Sequence, residues 1–315
     1  MVFLDRELLM KAQYEMPVSE TPFVDLADSL GKPADYVVEA LKEYLKNGIV
    51  KKIGPQLNYK AFRGISHAAL VGAEVRDVDR AVRIINAEKK VKHNFLREHG
   101  VYNIWFTIKA PTKEELFERT KELMERCGVE NYVVLPSVRV YKMDVKYDLF
   151  RGVSFSTRVE ERANVPRVEE LGVDGKMLRD MERNFSVEER PFRKFAEKYG
   201  YSEAELADLV SELIEKRVVR DFYAVLNGHN AGFRENGMNL IKTDEPEKVA
   251  KKLLRDIPEI THLVQREVPE NWNYPVYFMI HAVNREIIEQ VADRARRAEG
   301  VEELEILYSL KSFKD

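Results

Sequence analysis

Residues 91–108, VKHNFLREHGVYNIWFTI, hold the chain's densest set of side chains able to move protons and grip anions. Neighbouring strand residues point to opposite faces, so an extended run places His93, Phe95, Arg97 and His99 on one side and Asn94, Leu96 and Glu98 on the other. Imidazoles titrating near neutrality supply proton donors, and a guanidinium supplies a two-pronged clamp for a carboxylate. After the turn at Gly100, Asn103, Trp105, Thr107 and Lys109 share one face of the next run, with Tyr102, Ile104, Phe106 and Ile108 opposite. Aromatic surface is thereby set beside polar groups. A variant recurs later, with His262 and Arg266 followed by Trp272, Asn273, Tyr274, Tyr277 and His281. Four of the six histidines fall in these two segments, each set beside an arginine. A lone strand histidine is usually a hydrogen-bonded core or edge residue. The paired recurrence puts His93 and His262 forward as functional, keeps both readings open for His99 and His281, and leaves His67 structural. Tyr102, Trp105 and Tyr277 read as core or cleft-wall aromatics. No HxxxH or histidine–carboxylate cluster at helical spacing offers a metal site made of protein ligands alone.

The scaffold that positions these groups is present twice. One offset of 169 residues aligns Pro22-Phe23 with Pro191-Phe192, Ala27 with Ala196, Gly31 with Gly200, His93 with His262 and Arg97 with Arg266. The same offset aligns NGIVKKIGPQLN (47–58) with KRVVRDFYAVLN (216–227), and YNIWFTIKA aligns with YPVYFMIHA at an offset of 172, the extra residues lying in PENWN. Register kept this long marks two homologous halves, 1–150 and 165–315, joined by the polar linker VSFSTRVEERANVPRVEE. Each half opens with about three helices. Ser202–Glu205 forms a capping box, Pro33 suits a first helical turn, and β-prone runs at 49–53 and 56–59 complete a winged helix-turn-helix. Strands follow at 68–75, 91–98, 102–110 and 130–141, with helical spacing over 77–88 and 112–127, which is the β-α-β-β-α-β order of a ferredoxin-like domain. The second half repeats the strands near 237–243, 260–268, 276–282 and 303–309.

The expected fold class is therefore α+β, a tandem duplication of winged helix-turn-helix and ferredoxin-like domains. Its boundaries are expected at 1–62 and 63–150, then 165–230 and 231–315. A ferredoxin-like sheet carries helices on one face only, so its bare face predicts an internal pseudo-dimer with a cleft between the copies; further homo-oligomerisation stays open.

A chain of 315 residues exceeds one core, and 44% hydrophobic content with 51 basic and 54 acidic residues fits globular folding rather than disorder. The N-terminus is broken by charges and no apolar run reaches eighteen residues, so neither a signal peptide nor a membrane span is indicated and a cytoplasmic location is expected. The single Cys127 can form no internal disulfide and reads as a small buried apolar residue. The architecture resembles that of an AsnC-type regulator, yet the helices that would read DNA are acidic: residues 34–47 carry a net charge of −1 and residues 202–216 a net of −4. Phosphate contacts need Lys and Arg, so DNA binding is not expected.

The runs HNFLREHGVYNIWFT and LPSVRVYK resemble one subunit type of the sirohaem decarboxylases, a family that includes proteins of haem d1 synthesis. The runs NGHNAGF, THLVQRE and NWNYPVYFMIHA resemble the other type. Pro275 stands where the first half has Asn103, Tyr277 where it has Trp105, and Val268 near the place of His99, so the two half-sites need not both react. The resemblance implies decarboxylation of the C12 and C18 acetate side chains of sirohaem, with His93, His262 and His99 as acids. Such a substrate carries eight carboxylates, for which Arg97, Arg266, Arg139 and its counterpart Lys311 are candidate clamps, with surface solvation as the other reading of each and the preferred one for Lys311; further substrate contacts are expected from Tyr102, Asn103, Trp105, His229, Trp272, Tyr274, Tyr277 and His281. The iron macrocycle is then the substrate, no separate cofactor is implied, and His93 or His262 is a candidate axial ligand of its iron. The alternative is a haem- or tetrapyrrole-responsive transcriptional regulator of AsnC type.

Overall fold

The computed structural model describes residues 4–62, 67–157 and 164–314. The first half runs α1 (Arg6–Tyr14), α2 (Pro22–Leu30), α3 (Ala34–Lys46), β1 (Val50–Leu57), β2 (His67–Ala73), α4 (Val78–Ala87), β3 (Val91–Arg97), β4 (Ile104–Ala110), α5 (Lys113–Cys127) and β5 (Tyr132–Met143). Two short strands follow, β6 (Tyr147–Asp148) and β7 (Val153–Ser154). The second half repeats the order with α6 (Gly175–Asn184), α7 (Arg193–Tyr199), α8 (Glu203–Glu215), β8 (Val219–Leu226), β9 (Glu235–Lys242), α9 (Pro246–Asp256), β10 (His262–Arg266), β11 (Val276–Ala282), α10 (Arg285–Arg296) and β12 (Glu303–Lys314). The chain gathers into two compact units: Met1–Gly64, Lys146–Arg151 and Arg162–Gly232 in one, Ile65–Val145, Gly152–Glu161 and Phe233–Asp315 in the other.

In the helical unit, Gly31 and Gly200 end α2 and α7 in the left-handed conformation, giving the helix–turn–helix twice. The Ser202–Glu205 capping box opens α8. The two β-prone runs of the first half join into the single strand β1, which pairs antiparallel with β8 from Val50↔Leu226 to Leu57↔Val219. Each half thus supplies one wing strand, and the ladder forms between halves. Gly54 permits the continuous run because it takes a φ of +121° and lies against Phe185, where a Cβ would sit only 2.8 Å from Phe185 Cβ and Cγ.

The second unit closes both ferredoxin-like sheets into one antiparallel ring of eight strands, ordered β10-β5-β2-β4-β3-β12-β9-β11 and shut by the β10–β11 ladder. The joints β3–β12 and β5–β10 join the two halves. Two cores lie under the outer helices: Phe106, Ile108, Leu116 and Leu123 in the first half, and Leu253, Leu263, Phe278 and Ile288 in the second. A third fills the ring with Leu70, Trp105, Leu135, Met238, Leu240, Tyr277 and Leu307. The internal pseudo-dimer expected from the bare sheet faces is this ring. Trp105 fits only because Gly72 faces it: a Cβ there would fall 2.8 Å from the indole. The linker is in part structural, since β7 pairs with β11 at Val153↔Ala282 and the Ser154 hydroxyl donates to Glu259 O at 2.6 Å.

Candidate functional site

The inner face of the ring orders the polar groups. On β10, Leu263 packs beneath the helices, which turns His262, Val264 and Arg266 inward. On β11, Val276, Phe278, Ile280 and Ala282 pack outward, leaving Tyr277, Met279 and His281 inward. On β4 the outward set is Ile104, Phe106, Ile108 and Ala110, so Trp105, Thr107 and Lys109 face in, as the sequence alternation predicts. His93 lies opposite Thr107, and its ring stacks on Phe95 at 6.4 Å, with the Arg97 guanidinium over the far side of the sequence at 4.8 Å from the same Phe95 ring.

His93 and Arg97 nevertheless serve different ends of the ring. Four strand residues separate them by roughly 13 Å, and Arg97 crosses to the other half. Its Nη1 donates to Leu307 O at 3.0 Å and to Asn236 Oδ1 at 3.2 Å. Asn236 lies directly opposite His281 on β11. His262 lies opposite Met279, so His281 is its diagonal neighbour, about 7–8 Å away between Cα atoms. One end of the ring therefore combines Arg97 of the first half with Asn236, His281 and His262 of the second. The pseudo-symmetric end combines Arg266 of the second half with His93, Thr107 and Lys109 of the first. There Arg266 donates to Leu135 O at 3.0 Å and Ser137 Oγ at 3.2 Å, Ala68 holds the place of Asn236, and Lys109 that of His281.

Both guanidiniums are buried without a carboxylate partner among the described residues. Loss of water alone pushes Arg97 down to about 9, and it pushes Arg266 down to about 10 against a small opposing pull from the Tyr277 phenol. Arg266 Nε, itself buried, meets no acceptor. A cation left in this state favours any anion that reaches it.

Several expected contacts fall elsewhere. His99 is off the strand, because β3 ends at Arg97. Its Nδ1 accepts the amide protons of Val101 (3.1 Å) and Tyr102 (2.8 Å), and its ring stacks on Tyr102 at 5.5 Å. A nitrogen accepting two N–H groups carries no proton, so His99 is held neutral with its proton on Nε2, and burial moves its pKa further below the usual imidazole value. That corrects the reading of His99 as an acid: it fixes a turn. Arg139 and Lys311 are also displaced from the inner face. A bulge sets Ser137 opposite Arg266 but Arg139 opposite outward-facing Gln265, and another sets Ser309 opposite Arg97 but Lys311 opposite outward-facing Leu96. One extra residue reverses the alternation of everything beyond it. Arg139 instead pairs with Glu247 at 3.4 Å, and Lys311 lies over Phe313. Asn103 spends its amide on Val75, donating to O and accepting from N, both at 2.9 Å.

The aromatics Tyr102, Trp105, Trp272 and Tyr277 are buried in the core that fills the ring. Trp272 donates from Nε1 to the Tyr277 hydroxyl at 2.6 Å and packs on Tyr102, Trp105 and Tyr274 within 6.0 Å. Burial raises the Tyr277 phenol far above its usual pKa, and burial together with a hydrogen bond to Glu303 does the same for Tyr274. His229 falls in the helical unit, exposed in the turn after β8. Asn236 and Ser137 escaped sequence reading because the strand ladders set Asn236 in the place of Ala68, which has no polar group to mark it, and because serine carries no signal by type.

A duplicated helix-turn-helix unit with a ring of two ferredoxin-like sheets, histidines and buried arginines lining its inner face, is the build of an AsnC-like ligand-binding protein. The chain belongs to the family of AsnC-like ligand-binding domains, whose model matches residues 63–142 and again 230–314. The model described as the siroheme decarboxylase NirDL-like HTH domain matches residues 5–50 and 174–220. Among curated relatives, the siroheme decarboxylase of Hydrogenobacter thermophilus is 27% identical over 98% of this chain and 92% of its own. The siroheme decarboxylase NirDL subunit of Paracoccus pantotrophus is 28% identical over 99% and 95%. The crystal structure of the siroheme decarboxylase NirDL superposes with a TM-score of 0.64 at 25% identity, covering 98% of this chain and 91% of that one. The same protein has been solved in co-complex with an iron-uroporphyrin III analogue, again with a TM-score of 0.64 and 25% identity, covering 98% of this chain and 92% of that one.

Proposed function

We propose that the protein is a sirohaem decarboxylase that removes the carboxyl groups of the C12 and C18 acetates to give 12,18-didecarboxysirohaem. The observation that carries this reading is the doubled set of an inward histidine and a buried arginine that pairs with no carboxylate among the described residues, one at each end of the ring, in number equal to the two decarboxylations. Relatives bearing that name along nearly the whole chain support it.

Loss of carbon dioxide from a pyrrole-attached acetate leaves an electron pair that must be protonated. The carboxylate carbon–carbon bond breaks, carbon dioxide departs, and an imidazolium gives its proton to the nascent methyl carbon, returning to neutral imidazole. A positioned acid of this kind contributes roughly 10²–10⁴-fold. His262 and His281 are the candidates at one end and His93 at the other, while Arg97 and Arg266 attract and orient side-chain carboxylates. Iron arrives with the substrate, so no separate cofactor is required, and His93 or His262 serves as its axial ligand if it is not the acid.

Anaerobic incubation with sirohaem, followed by chromatography and mass spectrometry, tests the reading. Stepwise loss of two carbon dioxide equivalents is expected. Tight binding with unchanged mass would replace the enzyme by a tetrapyrrole-responsive regulator. Replacing His93 and His262 singly by Ala is expected to lower turnover by roughly 10²–10⁴-fold in one step each; unchanged rates in both and in the double variant remove histidine acid catalysis.

A further inference from the structure

One neutral side chain on the inner face has its polarity fixed by a buried cation. Asn236 shares β9 with Met238 and Leu240, whose side chains fill the ring, so alternation turns Asn236 inward as well. The Arg97 guanidinium reaches it from the other half, Nη1 donating to Asn236 Oδ1 at 3.2 Å and to Leu307 O at 3.0 Å. A guanidinium donates and cannot accept, so the end of the carboxamide that meets it must be the oxygen; with the amide turned round, N–H groups would face each other. The Nδ2 end is thereby aimed away from Arg97. It donates to none of the described residues, and the side chain is only part-buried.

We propose that Asn236 is a substrate-binding residue whose Nδ2 donates to a carboxylate of the macrocycle beside His281. This rests on the decarboxylase reading for the identity of the macrocycle. Asn236 lies directly opposite His281 on β11, and Cα atoms so paired are about 4.5–5.5 Å apart. A carboxylate held by Nδ2 is then within reach of one of the candidate acids at this end. Arg97 also strengthens the donor, because its charge draws electron density toward Oδ1 and leaves the N–H groups more positive. The cation thus acts on an anion both by its own field and through the neutral amide it orients.

The two ends of the ring are unequal in this respect. Ala68 holds the place of Asn236 at the other end, where Arg266 donates to Ser137 Oγ at 3.2 Å instead. Ser309 stands opposite Arg97 as Ser137 stands opposite Arg266, yet Arg97 bonds to Asn236. The carboxamide therefore belongs to one end, and its removal should weaken binding there and slow one of the two decarboxylations.

The test compares the full-length protein with Asn236→Ala, which copies Ala68, and Asn236→Asp, which keeps the oxygen that Arg97 bonds and replaces the N–H donors by a second acceptor. If Asn236 only held Arg97 in place, Asp would replace it without loss, since a carboxylate pairs with a guanidinium at least as well as an amide does. Iron-uroporphyrin III is titrated by absorbance. In Asn236→Ala at least half of the absorbance change is expected to move to about 10- to 150-fold higher concentration, and in Asn236→Asp as far or further. With sirohaem, both variants are expected to accumulate singly decarboxylated product. Wild-type affinity in either variant, or decarboxylation steps left unaltered or slowed alike, overturns the proposal. Weakened macrocycle binding in both variants with no carbon dioxide lost by the wild type supports the Asn236 contact and overturns the decarboxylase reading alone. A wild type that binds no macrocycle overturns both.

Discussion

Arg97→Met separates a substrate clamp from a structural staple. Desolvation moves the Arg97 pKa from 12.5 to about 9, and at about 1.4 kcal/mol per unit that is a cost of about 5 kcal/mol for keeping the charge in the folded protein. Its bonds to Leu307 O and Asn236 return about 1.5–3 kcal/mol each, because one partner is charged. Cost and return nearly cancel, and methionine fills a similar volume without the charge. Unfolding free energy in Arg97→Met, read by urea titration, is therefore expected to lie within about 2 kcal/mol of the wild type. Affinity for a carboxylated macrocycle should fall, since one charge-assisted contact of about 1.5–3 kcal/mol is a roughly 10- to 150-fold change in Kd. Iron-uroporphyrin III titrated by absorbance supplies that number. A variant that loses more than about 4 kcal/mol of stability while binding the macrocycle as before would refute the reasoning and make Arg97 a clasp between the halves.

Other perturbations follow from single contacts. Gly72→Ala places a methyl 2.8 Å from Trp105 and is expected to cost about 1–3 kcal/mol, measured by thermal unfolding together with a shift in tryptophan emission. Ser202→Ala breaks the capping box of α8 and should cost about 1 kcal/mol in the same melt. His99 has a folded pKa below its unfolded value near 6.5, so the unfolded chain takes up the proton first as pH falls. The stability that neutral His99 contributes is full above about 6.5 and declines below it, levelling only beneath the folded pKa. Wild type should therefore lose stability more steeply than His99→Gln between about pH 6.5 and more acid values, and parallel curves would reject the two-amide cap on Nδ1.

What the sequence determined by itself was the local and the repeated. Hydrophobic alternation placed the ferredoxin-like strands, and the 169-residue register announced the duplication. Ser202–Glu205 and the paired Gly31 and Gly200 punctuated the helices, because caps and left-handed turns act within a few residues of the chain. The face of β4 was legible for the same reason: Trp105, Thr107 and Lys109 alternate without interruption. Tertiary structure decided which groups meet. Bulges at the joints between halves turned Arg139 and Lys311 outward, and no pattern within one strand records an extra residue against a partner strand. The ring set Arg97 beside Asn236 and His281 rather than beside His93. Proximity across a closed sheet is fixed by ladders between segments more than a hundred residues apart. Two copies of one motif on one chain thus exchange their arginines across the ring, Arg97 bonding to Asn236 of the second half and Arg266 to Ser137 of the first.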